Sequence, residues 1–396
     1  MTMSRRDLLR SAGVAAGAAM LASKTELRAE ATPTTTMPTL NPADLLDLPD
    51  FERAAQGVMS SLAWEYVSEG AADELTLRWN HEAYQKIRLS PRALVDVSQL
   101  DTRIQLLGRE LAHPILLAPT AYQKLSHPDG ELATVQGAND AGATMVLSTM
   151  STVSLEDVAA AAKTPLWFQL YVQPDRGFTQ ELVQRAERAG YHALVVTVDT
   201  PVLGARYREL RAKFNLPPGM ERANLRGRTG ATGAHRPTEQ NIFSATLDPK
   251  LTWKDIGWLR SITKLPVLLK GIINPDDADR AVQTGAAGIL VSNHGARNLD
   301  TGPATIEALP RVVEKIGGKI PVLVDGGIRR GTDIVKALAL GANAVLIGRP
   351  YVYGLAVDGA RGVTRTVNIL RRELEMAMAH CGCPTIAAIN SSVLWR

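Results

Sequence analysis

Short apolar runs alternate with amphipathic segments along most of the chain. Eight of these runs have the length of buried strands, and most of the segments between them place Ala and Leu at helical spacing. The predicted strands are 114–118, 144–147, 166–170, 193–198, 266–269, 288–291, 321–324 and 344–347. Alternating strands and helices predict a parallel sheet, and eight units favour a single α/β domain of the (β/α)8 TIM barrel type over an open doubly wound sheet.

Two regions depart from this alternation. Residues 45–68 are amphipathic and predict an N-terminal helical cap, which either closes the far end of the barrel or reaches its mouth. Residues 206–253, between the fourth and fifth strands, are rich in Gly, Pro, Arg and Thr, and we interpret them as a mobile lid loop over the mouth. A surface loop without a role is the open alternative for the second region.

The N-terminal segment lacks the barrel pattern and carries features of a targeting sequence. Arg5 and Arg6 precede a short apolar stretch rich in Ala and Gly, which resembles a twin-arginine (Tat) export signal. We therefore expect a signal peptide over 1–31, a linker over 32–42, and a barrel domain over 43–396 that is periplasmic or extracellular. The apolar stretch is too short for a stable membrane span, and an amphipathic N-terminal helix is the alternative interpretation.

Composition narrows the class of function. Hydrophobic residues make up 45% and charged residues 21% of the 396 residues, as in a soluble globular protein. The net charge of +4 is mild, and no basic stripe with interleaved aromatic residues occurs, so nucleic acid is not an expected partner. Cys381 and Cys383 lack a second cysteine pair, so no metal site is expected.

Polar or Gly-rich sequence follows every predicted strand. Barrel enzymes carry their active sites at the carboxyl ends of the strands, so the pattern predicts a large site that spans the whole mouth. The residues at these ends are Pro119, Thr120, Ala121, Ser148, Gln169, Tyr171, Thr197, Asp199, Lys270, Ser292–Arg297, Asp325–Gly327, Gly348 and Arg349. A ligand-binding protein without catalysis, the non-enzyme alternative, predicts strand ends without such chemistry.

The run from Ser292 to Arg297 follows the sixth predicted strand directly. His294 can accept a proton near neutral pH, and Arg297 can bind a carboxylate through two parallel hydrogen bonds. A base beside a carboxylate clamp is the combination that oxidation of a hydroxy acid at its α-carbon requires. The run therefore predicts an enzyme that acts on a 2-hydroxy acid.

The last two strands predict a phosphate site. Gly326, Gly327 and Gly348 allow backbone N–H groups to approach an anion closely, and Arg329 and Arg349 add positive charge. Tight turns alone are the alternative interpretation of these glycines. No early GxGxxG follows a first strand, which argues against a dinucleotide-binding fold.

Taken together, these segments resemble the FMN-dependent α-hydroxy-acid oxidase and dehydrogenase family, which includes glycolate oxidase and L-lactate oxidase. The resemblance spans about residues 43–390, and Ser292–Arg297 followed by Leu299-Asp300 is its most specific element. It implies bound FMN, oxidation of a small (S)-2-hydroxy acid such as L-lactate to the 2-keto acid, and transfer of the electrons to O2 to give H2O2. It also implies a homo-oligomer, with a tetramer as the common state.

Two other functions remain open from the sequence. A dehydrogenase of the same family would pass the electrons to a membrane quinone or another carrier. A flavin barrel of the isopentenyl-diphosphate isomerase type shares Gly-rich phosphate loops, although it would have no need of His294 and Arg297.

The resemblance also implies a catalytic role for four residues. His294 is the base, Asp199 stabilises the imidazolium that forms, and Tyr171 binds the substrate hydroxyl or ketone oxygen. Lys270 lies near the flavin N1 and O2 edge, where a fixed cation stabilises the reduced ring. A turn cap is the alternative role for Asp199, and a Schiff-base nucleophile is the alternative for Lys270.

Substrate and cofactor contacts follow from the same resemblance. Arg297, Arg206 and Tyr66 hold the substrate carboxylate, and a core aromatic is the alternative role for Tyr66. Met150 stands where glycolate oxidase has a tryptophan, and its flexible thioether favours lactate or a somewhat larger acid. The implied FMN contacts are Pro119, Thr120, Ala121, Ser148, Gln169, Thr197, Lys270, Ser292, Asp325, Gly327, Arg329, Gly348 and Arg349.

Overall fold

A computed structural model describes residues 41–228, 242–244 and 246–395. Eight parallel strands close into a barrel in chain order, with the last strand paired to the first. In the described residues the strands are β1 (Ile104–Leu106), β2 (Arg109–Leu111), β3 (Ile115–Leu117), β4 (Thr144–Ser148), β5 (Leu166–Leu170), β6 (Ala193–Thr197), β7 (Val267–Lys270), β8 (Gly288–Val291), β9 (Val322–Asp325) and β10 (Ala344–Ile347). Strands β3 to β10 form the barrel, which confirms the predicted fold class.

Every residue of the eight barrel strands is buried, which explains why they appear as unbroken apolar runs. Alternate side chains fill the barrel interior, and Leu116, Val146 and Leu290 belong to that cluster. Leu106 and Leu111 of the β1–β2 hairpin join the same cluster. This unpredicted hairpin therefore closes the amino-terminal end of the barrel.

Three strands extend one residue further toward the mouth than the sequence predicts, and they end at Ser148, Lys270 and Asp325. Two of the predicted strands were placed too early because they began at prolines, which have no N–H to donate to a neighbouring strand. The correction matters for function. These three polar side chains are held by the sheet itself instead of by the loops that follow it.

Helices cover the outside of the barrel, and further helices precede it in the chain. The helices among the described residues are α1 (Leu48–Val58), α2 (Ser61–Ser68), α3 (Leu75–Lys86), α4 (Glu131–Ala141), α5 (Leu155–Ala161), α6 (Arg176–Arg188), α7 (Tyr207–Arg211), α8 (Trp253–Ser261), α9 (Pro275–Gln283), α10 (Thr305–Ile316), α11 (Gly331–Ala339) and α12 (Arg349–His380). None of these helices is both long enough and apolar enough to cross a membrane.

The N-terminal cap consists of α1 and α2, which are separated at Ser60, the N-cap of α2. Helix α1 packs against α12, α2 packs against α7, and α3 contacts both α10 and the loop after β8. The cap therefore reaches the mouth of the barrel, while the hairpin occupies the opposite end. Helix α3 was not predicted, and it brings Asn80 to the loop that carries His294.

The predicted lid over 206–253 is only partly described. Its first part is ordered on the barrel: it contains α7 and a short 3-10 helix, Ala223–Leu225, in which Asn224 Oδ1 accepts a hydrogen bond from the backbone of Leu155 at 2.8 Å. Residues 229–241 and 245 lie outside the described residues, as do the predicted signal over 1–31 and the linker up to residue 40. A lid function therefore stays a prediction.

Candidate active site

A cavity opens at the carboxyl ends of the strands, and residues from all eight strand ends contribute to its wall. Every residue predicted for the site lines this cavity except Asp199 and Ser292. Tyr66 and Val67 of α2 contribute to the wall. Glu209 of α7 and Arg206, the residue before α7, contribute to it as well. The sequence prediction that one site spans the whole mouth agrees with this arrangement.

The part of the cavity wall that contains Tyr171, His294 and Arg297 is called the substrate end below. There, the His294 ring has a hydrogen-bonding partner on each side. Its Nδ1 is 2.8 Å from Asp199 Oδ1, and its Nε2 is 3.1 Å from the hydroxyl of Tyr171. Because an ionised carboxylate can only accept, we assign the proton of neutral His294 to Nδ1. Nε2 is then free to accept a proton, and it points into the cavity beside Tyr171.

The ionisation of these groups suits proton transfer. Burial lowers the pKa of His294 to about 4, even though Asp199 acts in the opposite direction. Burial works against ionisation of Asp199 too, but His294 and Lys270 outweigh it and lower the pKa of Asp199 to about 2. Burial and the nearby Asp199 raise the pKa of Tyr171. At neutral pH the site therefore holds a neutral imidazole, a carboxylate and a protonated phenol.

The backbone around His294 adopts the left-handed conformation at three consecutive residues, with φ of 58° at His294, 62° at Gly295 and 62° at Ala296. Non-glycine residues in this region are uncommon and must be held by their surroundings. Asn293 Oδ1 accepts a hydrogen bond from the backbone of Ala296 at 3.0 Å, and its amide exchanges two hydrogen bonds with Asn80 of α3. The buried Asn80–Asn293 pair thus fixes the loop that carries His294.

Lys270 lies at the end of β7 among acidic groups. Its Nζ donates to Ser292 Oγ at 3.0 Å and lies 3.9 Å from a carboxylate oxygen of both Asp199 and Asp325. Ser292 and the two carboxylates already engage Nζ, which argues against the Schiff-base alternative. Ser292 is fully buried and does not line the cavity wall, so its contact with the cofactor stays a prediction.

Two arginines face the substrate end of the cavity. Arg297 Nη1 donates to the backbone carbonyls of Tyr66 and Glu69 at 2.7 and 2.8 Å, and its guanidinium lies 5.0 Å from the centre of the Tyr66 ring. Arg206 Nε donates to the carbonyl of Arg297 at 3.2 Å. Glu209, which no sequence pattern marks as a site residue, accepts a hydrogen bond from Arg297 Nη2 through its Oε1 at 2.8 Å.

Arg349 dominates the other end of the cavity. Its three donor nitrogens bind the backbone carbonyls of Val67, Gly295 and Glu69 at 2.8 to 3.0 Å. No carboxylate of the described residues lies within ion-pair distance of it, and burial lowers its pKa to about 10. A buried guanidinium without a counter-ion is a strong attractor for an anion.

The glycines near Arg349 divide into two kinds. A Cβ at Gly348 would meet only Ala118, at 3.9 Å, so it would project into open space in the cavity. A Cβ at Gly327 would lie 1.9 Å from the carbonyl oxygen of Asn80, so this glycine is required by packing against α3. The sequence explanation of Gly327 as a phosphate contact is therefore incomplete, although the residue does line the cavity.

The residues in the cavity fit FMN. Gly348 and Arg349 suit the phosphate, and the buried Asp325 Oδ1, which has no hydrogen-bond partner among the described residues, suits a polyol hydroxyl. Ser148, Gln169 and Thr197 form a connected polar row, in which Gln169 bridges the other two at 3.3 and 2.9 Å. Pro119, Thr120 and Ala121 line the wall after β3, and Arg329 joins the phosphate end.

The sequence is similar to those of several oxidases. It is 50% identical to an L-lactate oxidase of Nostoc sp. over 356 residues, which cover 88% of this chain and 98% of the relative. It is 48% identical to a peroxisomal (S)-2-hydroxy-acid oxidase of Oryza sativa subsp. japonica, over 87% of this chain and 94% of that one. A 2-hydroxyacid oxidase of Dictyostelium discoideum is 46% identical, over 87% and 89% of the two chains.

A solved structure supports the same relationship. Mandelate oxidase superimposes with a TM-score of 0.81 at 41% sequence identity, over 88% of this chain and 98% of that one. The sequence profile described as FMN-dependent dehydrogenase matches residues 55–396, which include the complete barrel and the cavity wall. The chain belongs to the FMN-dependent dehydrogenase family.

Proposed function

We propose that this protein is an FMN-dependent (S)-2-hydroxy-acid oxidase that converts L-lactate, or an acid of similar size, to the 2-keto acid and reduces O2 to H2O2. One observation carries the proposal: a neutral histidine, paired with a buried carboxylate, faces the same cavity as two arginines and a protonated tyrosine. These groups provide one base and one carboxylate site within a single wall, which is what a 2-hydroxy acid requires.

Binding orients the substrate. Its carboxylate lies against Arg297 and Arg206, and the Tyr66 ring lies beneath the Arg297 guanidinium. Its hydroxyl then reaches the hydroxyl of Tyr171 and Nε2 of His294, which lie 3.1 Å apart. Fixing both groups of the acid leaves its α-hydrogen directed into the remainder of the cavity.

Proton removal falls to His294. Nε2 accepts one of the two protons that the hydroxy acid loses together with two electrons, and Asp199 stabilises the positive charge that develops on the imidazole. Because the pKa of His294 in the substrate-free site is about 4, the base is unprotonated at neutral pH and ready to react. Tyr171 remains protonated and donates to the oxygen of the forming ketone.

Bound FMN would supply the acceptor for the two electrons and for the second proton. Lys270 Nζ, fixed at the end of β7, would offer it a positive charge and so favour its reduction. The Gln169 amide and the Thr197 hydroxyl are available to the ring edge from β5 and β6.

Anaerobic mixing of the purified holoprotein with L-lactate tests the proposal. Lactate should bleach the yellow flavin absorbance, and admission of air should restore it with release of H2O2. Absorbance that stays bleached in air would overturn the oxidase and indicate a dehydrogenase with another acceptor. A protein whose bound flavin is not bleached by L-lactate, glycolate or mandelate would not oxidise 2-hydroxy acids at all.

Oxygen as the acceptor is supported by the relatives, since those of Nostoc sp., Dictyostelium discoideum and Oryza sativa compared above carry the name oxidase. Met150 supports lactate or a larger acid, because a thioether at the cavity wall leaves adaptable space.

We infer further that the protein is exported and oligomeric. The twin arginines Arg5 and Arg6 support Tat export to the periplasm or the medium, and family resemblance supports a tetramer. Cell fractionation of wild type and of a double Lys substitution at both arginines tests the first inference, with retention in the cytoplasm expected for the variant. Light scattering of the mature protein tests the second, and a monomeric mass would contradict it.

A further inference from the structure

Glu209 lies between the two arginines at the substrate end of the cavity. Its Oε1 accepts a hydrogen bond from Arg297 Nη2 at 2.8 Å and lies 3.5 Å from Arg206 Nη1. Its side chain is only 11% exposed and contributes to the cavity wall. A carboxylate of the protein itself therefore occupies part of the surface that would receive the carboxylate of a substrate.

The position of Glu209 is fixed from the side away from the cavity. The carboxylate of Glu69 accepts hydrogen bonds from the backbone N–H groups of both Arg208 and Glu209, the latter at 2.7 Å. The Arg208 side chain is in turn paired with Glu65 and Glu74. Helix α7 has only five residues, so these contacts hold it in place. Glu209 must therefore share the arginines with an incoming ligand.

Glu209 changes the net charge of the site that would bind the substrate carboxylate. Arg206 and Arg297 together carry two positive charges, and Glu209 reduces the total to one, which a single monocarboxylate neutralises. Burial alone would lower the pKa of Arg297, yet Glu209, together with Tyr66 and Glu69, outweighs burial and raises it. A hydroxy acid and its keto acid product present the same carboxylate, so an arginine pair without Glu209 would hold both of them more tightly, the product included.

We propose that Glu209 is a positioning residue that limits the affinity of the arginine pair for carboxylates and thereby speeds release of the 2-keto acid. This inference rests on the proposed function, because it takes a 2-hydroxy acid as substrate. It assigns to one buried carboxylate the balance between holding the substrate and releasing the product.

The test is binding of pyruvate to the oxidised holoenzyme, followed by flavin absorbance without turnover. Glu209→Gln keeps the size and hydrogen bonding of the side chain but removes its charge. We expect the Kd for pyruvate to fall about tenfold, as expected when one partly buried unit charge is removed from contact with the anion site. In steady state with L-lactate, KM and kcat should both fall, and inhibition by pyruvate should increase.

Glu156→Gln is the matched control. It also removes one carboxylate that pairs with an arginine, but this one contacts Arg185 on the outside of the barrel and neither member of the substrate pair. Its Kd for pyruvate should remain within about twofold of wild type, because a distant, half-exposed charge is screened. A shift equal to that of Glu209→Gln would overturn the proposal in favour of a general effect of net charge.

Weaker or unchanged pyruvate binding in Glu209→Gln would also overturn the proposal, since it would mean that Glu209 only holds Arg297 in place. If the Gln variant does not retain FMN, Glu209→Asp decides instead. Asp keeps the charge but withdraws it from Arg297, so pyruvate should bind about two- to threefold more tightly, and weaker binding would contradict us. Failure of L-lactate to bleach the flavin would overturn the proposed function, and this binding readout remains independent of it.

Discussion

The two ends of the cavity differ in whether their basic side chains have carboxylate partners. At the phosphate end, Arg349 binds three backbone carbonyls and has no carboxylate partner among the described residues. At the substrate end, Arg297 is paired with Glu209, His294 with Asp199, and Lys270 lies near two carboxylates. Uncompensated charge suits a cofactor that stays bound, whereas balanced charge suits a ligand that must enter and leave in every turnover.

His294→Ala should produce the largest effect and confine it to the substrate end. Loss of the general base is expected to reduce the rate of flavin bleaching by L-lactate by about 10²- to 10⁴-fold. FMN should remain bound, because His294 is not part of the phosphate end. Stopped-flow absorbance measures the rate, and the flavin-to-protein ratio after gel filtration is the control. Bleaching at the wild-type rate would remove His294 from the mechanism.

Asp199→Asn should produce a smaller loss and a shift in pH dependence. Activity requires neutral His294, so kcat/KM of the wild type should rise with pH through the pKa of His294, about 4, and level off above it. Asp199 raises that pKa, and its removal should therefore move the rising limb to lower pH. The developing imidazolium also loses its partner, so the plateau should fall by about 10²-fold. A limb that moves to higher pH would contradict this assignment.

Arg349→Met tests the opposite end. Removing the uncompensated cation should weaken FMN binding by about 10²-fold, the scale of a lost charge-assisted hydrogen bond to an anion. Fluorescence titration of the apoprotein with FMN measures the Kd. Arg361→Met is the control, because Arg361 is 86% exposed and pairs with Asp358, three residues earlier in α12. Equal losses in the two variants would break the comparison between the ends.

Met150→Trp should have the smallest effect, because it changes the shape of the cavity wall without changing its charge. A rigid indole in place of the thioether should reduce kcat/KM for L-lactate relative to glycolate by about tenfold. FMN affinity should stay unchanged. A parallel measurement of kcat/KM for both acids decides, and a constant ratio would exclude Met150 from substrate selection.

The sequence predicts the barrel well, because buried parallel strands and capped helices leave local signals. It also predicts the residues at the strand ends, since topology alone brings them to one mouth. It fails where the contact is distant along the chain. Nothing local to Asn80 indicates that its amide pairs with Asn293, and α3 carries no period that marks it as part of the site.

Glu209 illustrates a second kind of failure. It lies in a segment that looks like a loop in composition, and a glutamate beside arginines in sequence is typical of an exposed helix. The hydrogen bond from its backbone N–H to the carboxylate of Glu69, distant in the sequence, holds it against Arg297. Ser292 shows the converse. It lies within the most specific motif, yet it is fully buried and accepts a hydrogen bond from Lys270.

The carbonyl oxygen of Glu69 joins the two ends, because it accepts from Arg297 Nη1 and from Arg349 Nη2, each at 2.8 Å. This shared acceptor belongs to the main chain, so no replacement of the side chain at position 69 can delete it. Side-chain substitutions in α2 and at its C-terminus therefore do not remove the link between Arg349 and Arg297. Only a change in the path of the backbone could uncouple them.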